Sequence, residues 1–140
     1  MRTPLYNTGM HVERYNELKE ALDQILHTLE TQYEPEKVIL FGSMAAGHVG
    51  EWSDIDLVVI KETSLPFYKR LKEVVLLCPV WVGVDYLVYT PDEFAEMTAD
   101  KNPFIVEEII NKGKVLYERQ SAEAVVGQGD GGPDRRTSGV

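Results

Sequence analysis

The sequence predicts an α/β (α+β) domain in which amphipathic helices alternate with short apolar strands. Three observations carry this reading. The 140 residues, 44% of them hydrophobic, suit one core and no more. Several segments repeat apolar residues at three- and four-residue steps, the helical period. Between them lie brief runs rich in Val, Ile and Leu, bounded by Gly and Pro.

Residues 1–11 read as a flexible lead-in to a domain over residues 12–118. Tyr15, Leu18, Leu22, Ile25, Leu26 and Leu29 form one stripe, so a helix is expected from Val12 to Tyr33, stopped by Pro35. Lys37 to Phe41 reads as a buried strand ending at Gly42. Ser43 to Gly47 is a turn or a single helical turn, and His48 to Ser53 a loop. Asp54 to Ile60 alternates and then runs apolar, a second strand. Pro66 can open a helix whose buried face holds Phe67, Leu71, Val74 and Val75. Val80 to Tyr89 reads as a third strand. Thr90-Pro91 resembles a cap with proline at the first helical position, and Asn102-Pro103 repeats that signal. Val115-Leu116-Tyr117 suits a last strand or an extended end. Residues 119–140 are Gly-rich, with almost no large apolar side chain after Val126, and read as a disordered tail.

Charge and cysteine content narrow the function. The net charge is −9, and residues 119–140 cancel internally, so the whole excess sits in residues 1–118. A compact acidic domain is a poor general binder of nucleic acid, where affinity comes from Lys and Arg on phosphates. A phosphate substrate stays compatible if a metal ion accompanies it. No apolar run approaches the roughly 18 residues of a membrane span. The single cysteine, Cys78, excludes an internal disulfide or a multi-thiolate zinc site and reads as a core residue. The N-terminus lacks the apolar core of a signal peptide, so a cytoplasmic location is expected.

The chemistry concentrates between Leu40 and Leu57. Asp54 and Asp56 lie two apart on an expected strand, so their carboxylates share a face while Ile55, Leu57 and Val59 point into the core. Two neighbouring carboxylates repel, and a hard divalent cation such as Mg²⁺ makes the pair favourable. Asp85 is isolated in an apolar strand, opposite Val84. If its strand neighbours that of Asp56, three carboxylates converge, enough for two metal ions. Gly42 lets backbone approach a ligand, and Ser43 offers a hydroxyl and a backbone N–H to phosphate. His48 reads as a solvated loop histidine and Trp52 as a packing residue.

Gly42-Ser43-x-Ala45-x-Gly47, then Ser53-Asp54-x-Asp56-Leu57 and the later Asp85, resemble the DNA polymerase β-type nucleotidyltransferase superfamily, and within it the minimal nucleotidyltransferases known as antitoxins. The resemblance implies a small nucleotidyltransferase fold with a mixed sheet flanked by helices. It implies that Asp54, Asp56 and Asp85 hold two catalytic Mg²⁺ ions, for which Mn²⁺ can substitute. Asp85 would help activate the attacking hydroxyl, and Gly42 and Ser43 would hold the triphosphate of ATP or another NTP. Many relatives carry a basic residue where this chain has Met44, Ala45 and Ala46.

The implied reaction moves AMP from ATP to a hydroxyl acceptor. The chain has no visible acceptor domain, so the acceptor is expected on a partner, for minimal members a helical HEPN-type toxin, in a homo- or hetero-oligomer. A binding module that neutralises such a toxin by contact, and an aminoglycoside adenylyltransferase, are the alternatives.

Overall fold

The computed structural model describes residues 10–120. Of the expected lead-in over residues 1–11 and tail over residues 119–140, residues 1–9 and 121–140 lie outside the described residues, while His11 donates its N–H to the Val49 carbonyl and Arg119 to that of Glu36. The fold opens on α1, Val12–Thr28, continued by a short π-helical turn over Leu29–Tyr33. Glu34, in the left-handed conformation at φ 55°, ends it just before Pro35. Met10 packs against the core, and the His11 side chain caps α1 by accepting from the Arg14 N–H. Then follow β1 (Lys37–Phe41), the five-residue α2 (Gly42–Ala46), β2 (Ile55–Ile60), α3 (Phe67–Leu77), β3 (Val84–Tyr89), α4 (Pro91–Ala99), the π-helical α5 (Phe104–Asn111) and β4 (Lys114–Glu118).

The four strands form one mixed sheet in the order β3-β2-β1-β4. β1 is antiparallel to β2 and to β4, whereas β2 and β3 run parallel, joined by the α3 crossover. Strand alternation splits the core in two. Val38, Leu40, Ile55, Leu57, Val59, Tyr86 and Val88 pack with α1 residues Leu18, Leu22 and Ile25 and with Val74 of α3. Ile39, Val58 and Ile60 face the other way, onto Ile105 and Ile109 of α5. Each fully buried Leu or Ile contributes about 1.5–3 kcal/mol relative to exposure. Gly113 closes α5 tightly: an added Cβ would lie 2.3 Å from the Ile109 carbonyl oxygen and 2.8 Å from Ile39 Cγ2.

The third strand is shorter than the sequence suggested. Val80 to Gly83 form a bend with Trp81 fully exposed, and β3 begins at Val84. Pairing starts at Ile55↔Val84, with the Gly83 carbonyl accepting from the Ile55 N–H, and β2 does not extend back to meet Val80 to Val82. Alternating valines alone could not report the missing neighbour.

Candidate active site

β2 and β3 place the central pair of carboxylates. In their parallel register Asp56 lies directly across from Asp85, and residues paired this way point to the same face. Asp56 is half-buried and Asp85 exposed. Burial first, then hydrogen bonding to Asp85 and the charges of Asp85 and Asp54, push the Asp56 carboxyl from 3.8 up to about 6. Asp56 therefore holds its proton more tightly than a free carboxyl does, and its carboxylate form is repelled by the neighbouring acidic charge.

Gly42 seals this pair from the β1 side. Its φ is +79°, and a Cβ there would come within 2.2 Å of Asp56 Oδ2. Glycine is required for both reasons, and the close approach is to the chain's own carboxylate. Ser43 follows in α2, its Oγ donating to Ser53 Oγ at 3.1 Å. The Ser53 hydroxyl oxygen also accepts from the Gly50 N–H at 2.8 Å, which ties the loop before Asp54 to the Gly42-Ser43 turn.

Asp54 lies just ahead of β2 and not on it. Its carboxylate rests against Gly83, where a Cβ would meet Oδ1 at 2.8 Å. Arg14, reaching from α1, donates to Asp54 Oδ1 at 3.2 Å and to the Ser53 carbonyl at 2.8 Å. This arginine escaped sequence reasoning, since on the helical pattern it is one more charge on a polar face. The Asp54 side chain is 48% exposed, so the pair is worth about 0–1 kcal/mol and is exchangeable.

Among the described residues, no group of three or more His, Cys, Asp or Glu side chains is disposed as a ready metal site. The structure brings Asp56 and Asp85 together, with Asp54 near enough for its charge to act on Asp56 but engaged by Arg14. The all-oxygen donor set and the mutual repulsion of Asp56 and Asp85 fit a hard divalent cation. Asp54 would join them on leaving Arg14.

A cavity of about 560 Å³ abuts the site, lined by Gly42, Ser43, Ala46, His48, Glu108 and Lys112. His48 is exposed and lines this space. A smaller cavity of about 290 Å³ lies beside Arg14, with Glu17, Glu20 and Trp81 in its wall. Trp52, expected to pack, is 85% exposed in the loop before Ser53.

The Asp56 shift makes a checkable prediction for the metal-free protein. The folded state holds this proton more tightly than the unfolded chain, so the group stabilises the fold fully below the unfolded value. That contribution is lost as pH rises through about 6. In the presence of chelator, Asp56→Asn is therefore expected to melt above wild type at pH about 8, the gap narrowing toward pH about 4. A gap that does not vary with pH would contradict it.

A four-stranded mixed sheet with facing aspartates at the ends of two strands, backed by a Gly-Ser turn, is the arrangement of a nucleotide-transferring domain. The sequence profile of the family "Polymerase beta, Nucleotidyltransferase" matches residues 23–122, and the chain belongs to that family. The fold is similar to the 1.40 Å crystal structure described as "a putative nucleotidyltransferase from Sulfolobus solfataricus". That similarity has a TM-score of 0.55 at 19% identity, over 77% of this chain and 86% of the other. No curated protein sequence matches the chain. Family membership gives nucleotidyl transfer as the reaction class. No helix among the described residues is long and apolar enough to cross a membrane.

Proposed function

We propose that the chain is a minimal nucleotidyltransferase that moves AMP from ATP to a hydroxyl on a partner protein, with a HEPN-type toxin as the partner and neutralisation of that toxin as the outcome. The observation that carries the chemistry is the register pairing of Asp56 with Asp85 against Gly42. The acceptor oxygen bonds to the α-phosphorus of ATP, the bond to the β,γ-diphosphate breaks, and pyrophosphate leaves. Asp85, the exposed member of the pair, takes the proton of the acceptor hydroxyl. Asp56, packed against Gly42, would serve as a ligand of the metal ion and not as a direct contact to phosphate. Mg²⁺ or Mn²⁺ held by Asp56 and Asp85, with Asp54, would neutralise polyphosphate charge as a Lewis acid. Gly42 and Ser43 line the space for the triphosphate.

A second reading, neutralisation by contact alone, draws on a different observation. Phe67, Tyr68, Leu71 and Val75 leave an exposed apolar stripe on α3, and Asp54 is tied to Arg14. The distinguishing assay incubates the full chain with α-labelled ATP, Mg²⁺ and a HEPN-type toxin as the proposed partner. Label on the toxin supports transfer, and neutralisation with no label supports contact. Parallel reactions with CTP, GTP, UTP and aminoglycosides test the nucleotide and the small-molecule alternative.

A further inference from the structure

We propose that Lys112, at the end of α5, is the cation that binds the polyphosphate of the nucleoside triphosphate, in place of any basic residue on α2. This deepens the nucleotidyl-transfer reading and rests on it. The cavity beside the Gly42-Ser43 turn has two walls. One is the Gly42-Ser43-Ala46 segment with His48, and the other is Glu108 and Lys112 of the α5 end. The first wall carries no permanent charge, since α2 reads Gly-Ser-Met-Ala-Ala. Gly42, which lines this space, also packs against the Asp56 carboxylate. A triphosphate entering an acidic domain beside aspartates meets repulsion unless a cation faces it. Among the described residues lining the cavity, Lys112 is the one permanent cation.

Its placement is firm while its charge is available. Gly113 follows it, and the contact of Gly113 with Ile109 and Ile39 pins the α5 end against β1. The Lys112 ammonium lies 3.4 Å from Glu108 Oε2, and the two side chains are 67% and 44% exposed. So long and exposed a pair is weak, and phosphate oxygens can replace Glu108 as its partner. A lysine near a helix C-terminus also complements the helix dipole. The test must therefore read phosphate binding and not stability.

MgATP is titrated calorimetrically into the full chain as wild type, Lys112→Ala, Lys112→Arg and Lys69→Ala. Lys69 makes the same charge change at an exposed position on α3 that does not line the cavity. Loss of one charged phosphate contact corresponds to a roughly tenfold weaker affinity in Lys112→Ala. KM for ATP should rise in step while kcat changes much less. Adenosine binding should be unaffected, Lys112→Arg should retain most of the affinity, and Lys69→Ala should match wild type. The salt dependence of ATP affinity should also flatten in Lys112→Ala. Equal MgATP affinity in Lys112→Ala and wild type overturns the assignment while transfer by wild type keeps the enzyme reading. A wild-type chain that neither binds nor transfers from any NTP overturns both.

Discussion

Replacing Asp54 and Asp56 together by Asn is expected to lower nucleotide transfer by on the order of 10³-fold or more. Metal neutralisation of the transferring phosphate is worth several kcal/mol, and each 1.36 kcal/mol is about tenfold in rate. Amides are poor substitutes for carboxylates around Mg²⁺, so metal-dependent ATP binding should weaken as well. The fold should survive. Asp56 packs against Gly42 in a carboxyl-sized space that an amide also fills, and removal of like charge relieves repulsion. Without metal the variant should melt no lower than wild type. The decisive readout is the partner. A variant that binds the proposed toxin partner without neutralising it supports modification as the function. A variant that still neutralises fully makes the chemistry dispensable and favours contact.

Glu93→Ala carries the largest expected cost in stability. Arg70 is 6% exposed, a buried cation in the core between α3, β3 and α4. It donates to the Leu65 carbonyl at 2.7 Å, to the Val88 carbonyl at 3.1 Å, and to the two Glu93 carboxylate oxygens at 2.7 and 3.0 Å. Glu93 Oε1 also accepts from the Thr90 N–H at 2.9 Å, while Thr90 Oγ1 accepts from the Glu93 N–H, a capping box at the start of α4. Removal of the Glu93 side chain thus leaves a buried guanidinium half-paired and removes one of the two capping-box bonds, while Thr90 Oγ1 still accepts from the N–H of residue 93. A fully buried orphan charge costs about 3–5 kcal/mol. The Glu93 side chain is 44% exposed and Arg70 keeps two carbonyls, so about 2–3 kcal/mol is expected here. That corresponds to a fall of roughly 10 °C in Tm for a domain of this size. Glu93→Gln keeps the cap and should cost less. The hydrogen bond from Arg70 holds the Glu93 carboxyl below its ordinary 4.5. Its contribution is present above that value and lost as pH falls through the lowered one. The penalty of Glu93→Ala should shrink correspondingly in acid. A Tm change under about 3 °C would show that water replaces Glu93 without loss.

Local chemistry made much of this protein legible in sequence. The α1 stripe of Leu18, Leu22 and Ile25 needs only helical period and a core to face. Thr90-Pro91 with Glu93 three residues on is a cap written in adjacent letters, and it formed. The period-two placement of Ile55, Leu57 and Val59 likewise sent Asp56 to the opposite face. Non-local facts were another matter. Val80 to Gly83 reads as strand by its valines, yet a strand exists only where a neighbour supplies hydrogen bonds, and β2 supplies them from Ile55 onward. Arg14 and Lys112 look like ordinary charges on helix surfaces. Only the docking of α1 and α5 onto the sheet sets one at Asp54 and the other in the cavity beside Gly42. The same holds for Gly42, which reads in sequence as a place where backbone approaches a ligand but whose contact with Asp56 depends on β1 and β2 pairing at Phe41↔Asp56. Periodicity and caps belong to single segments, so the sequence by itself determined the elements and the kind of chemistry. Which carboxylates meet, and which cations reach them, was decided by tertiary packing, because those energies arise between segments distant along the chain.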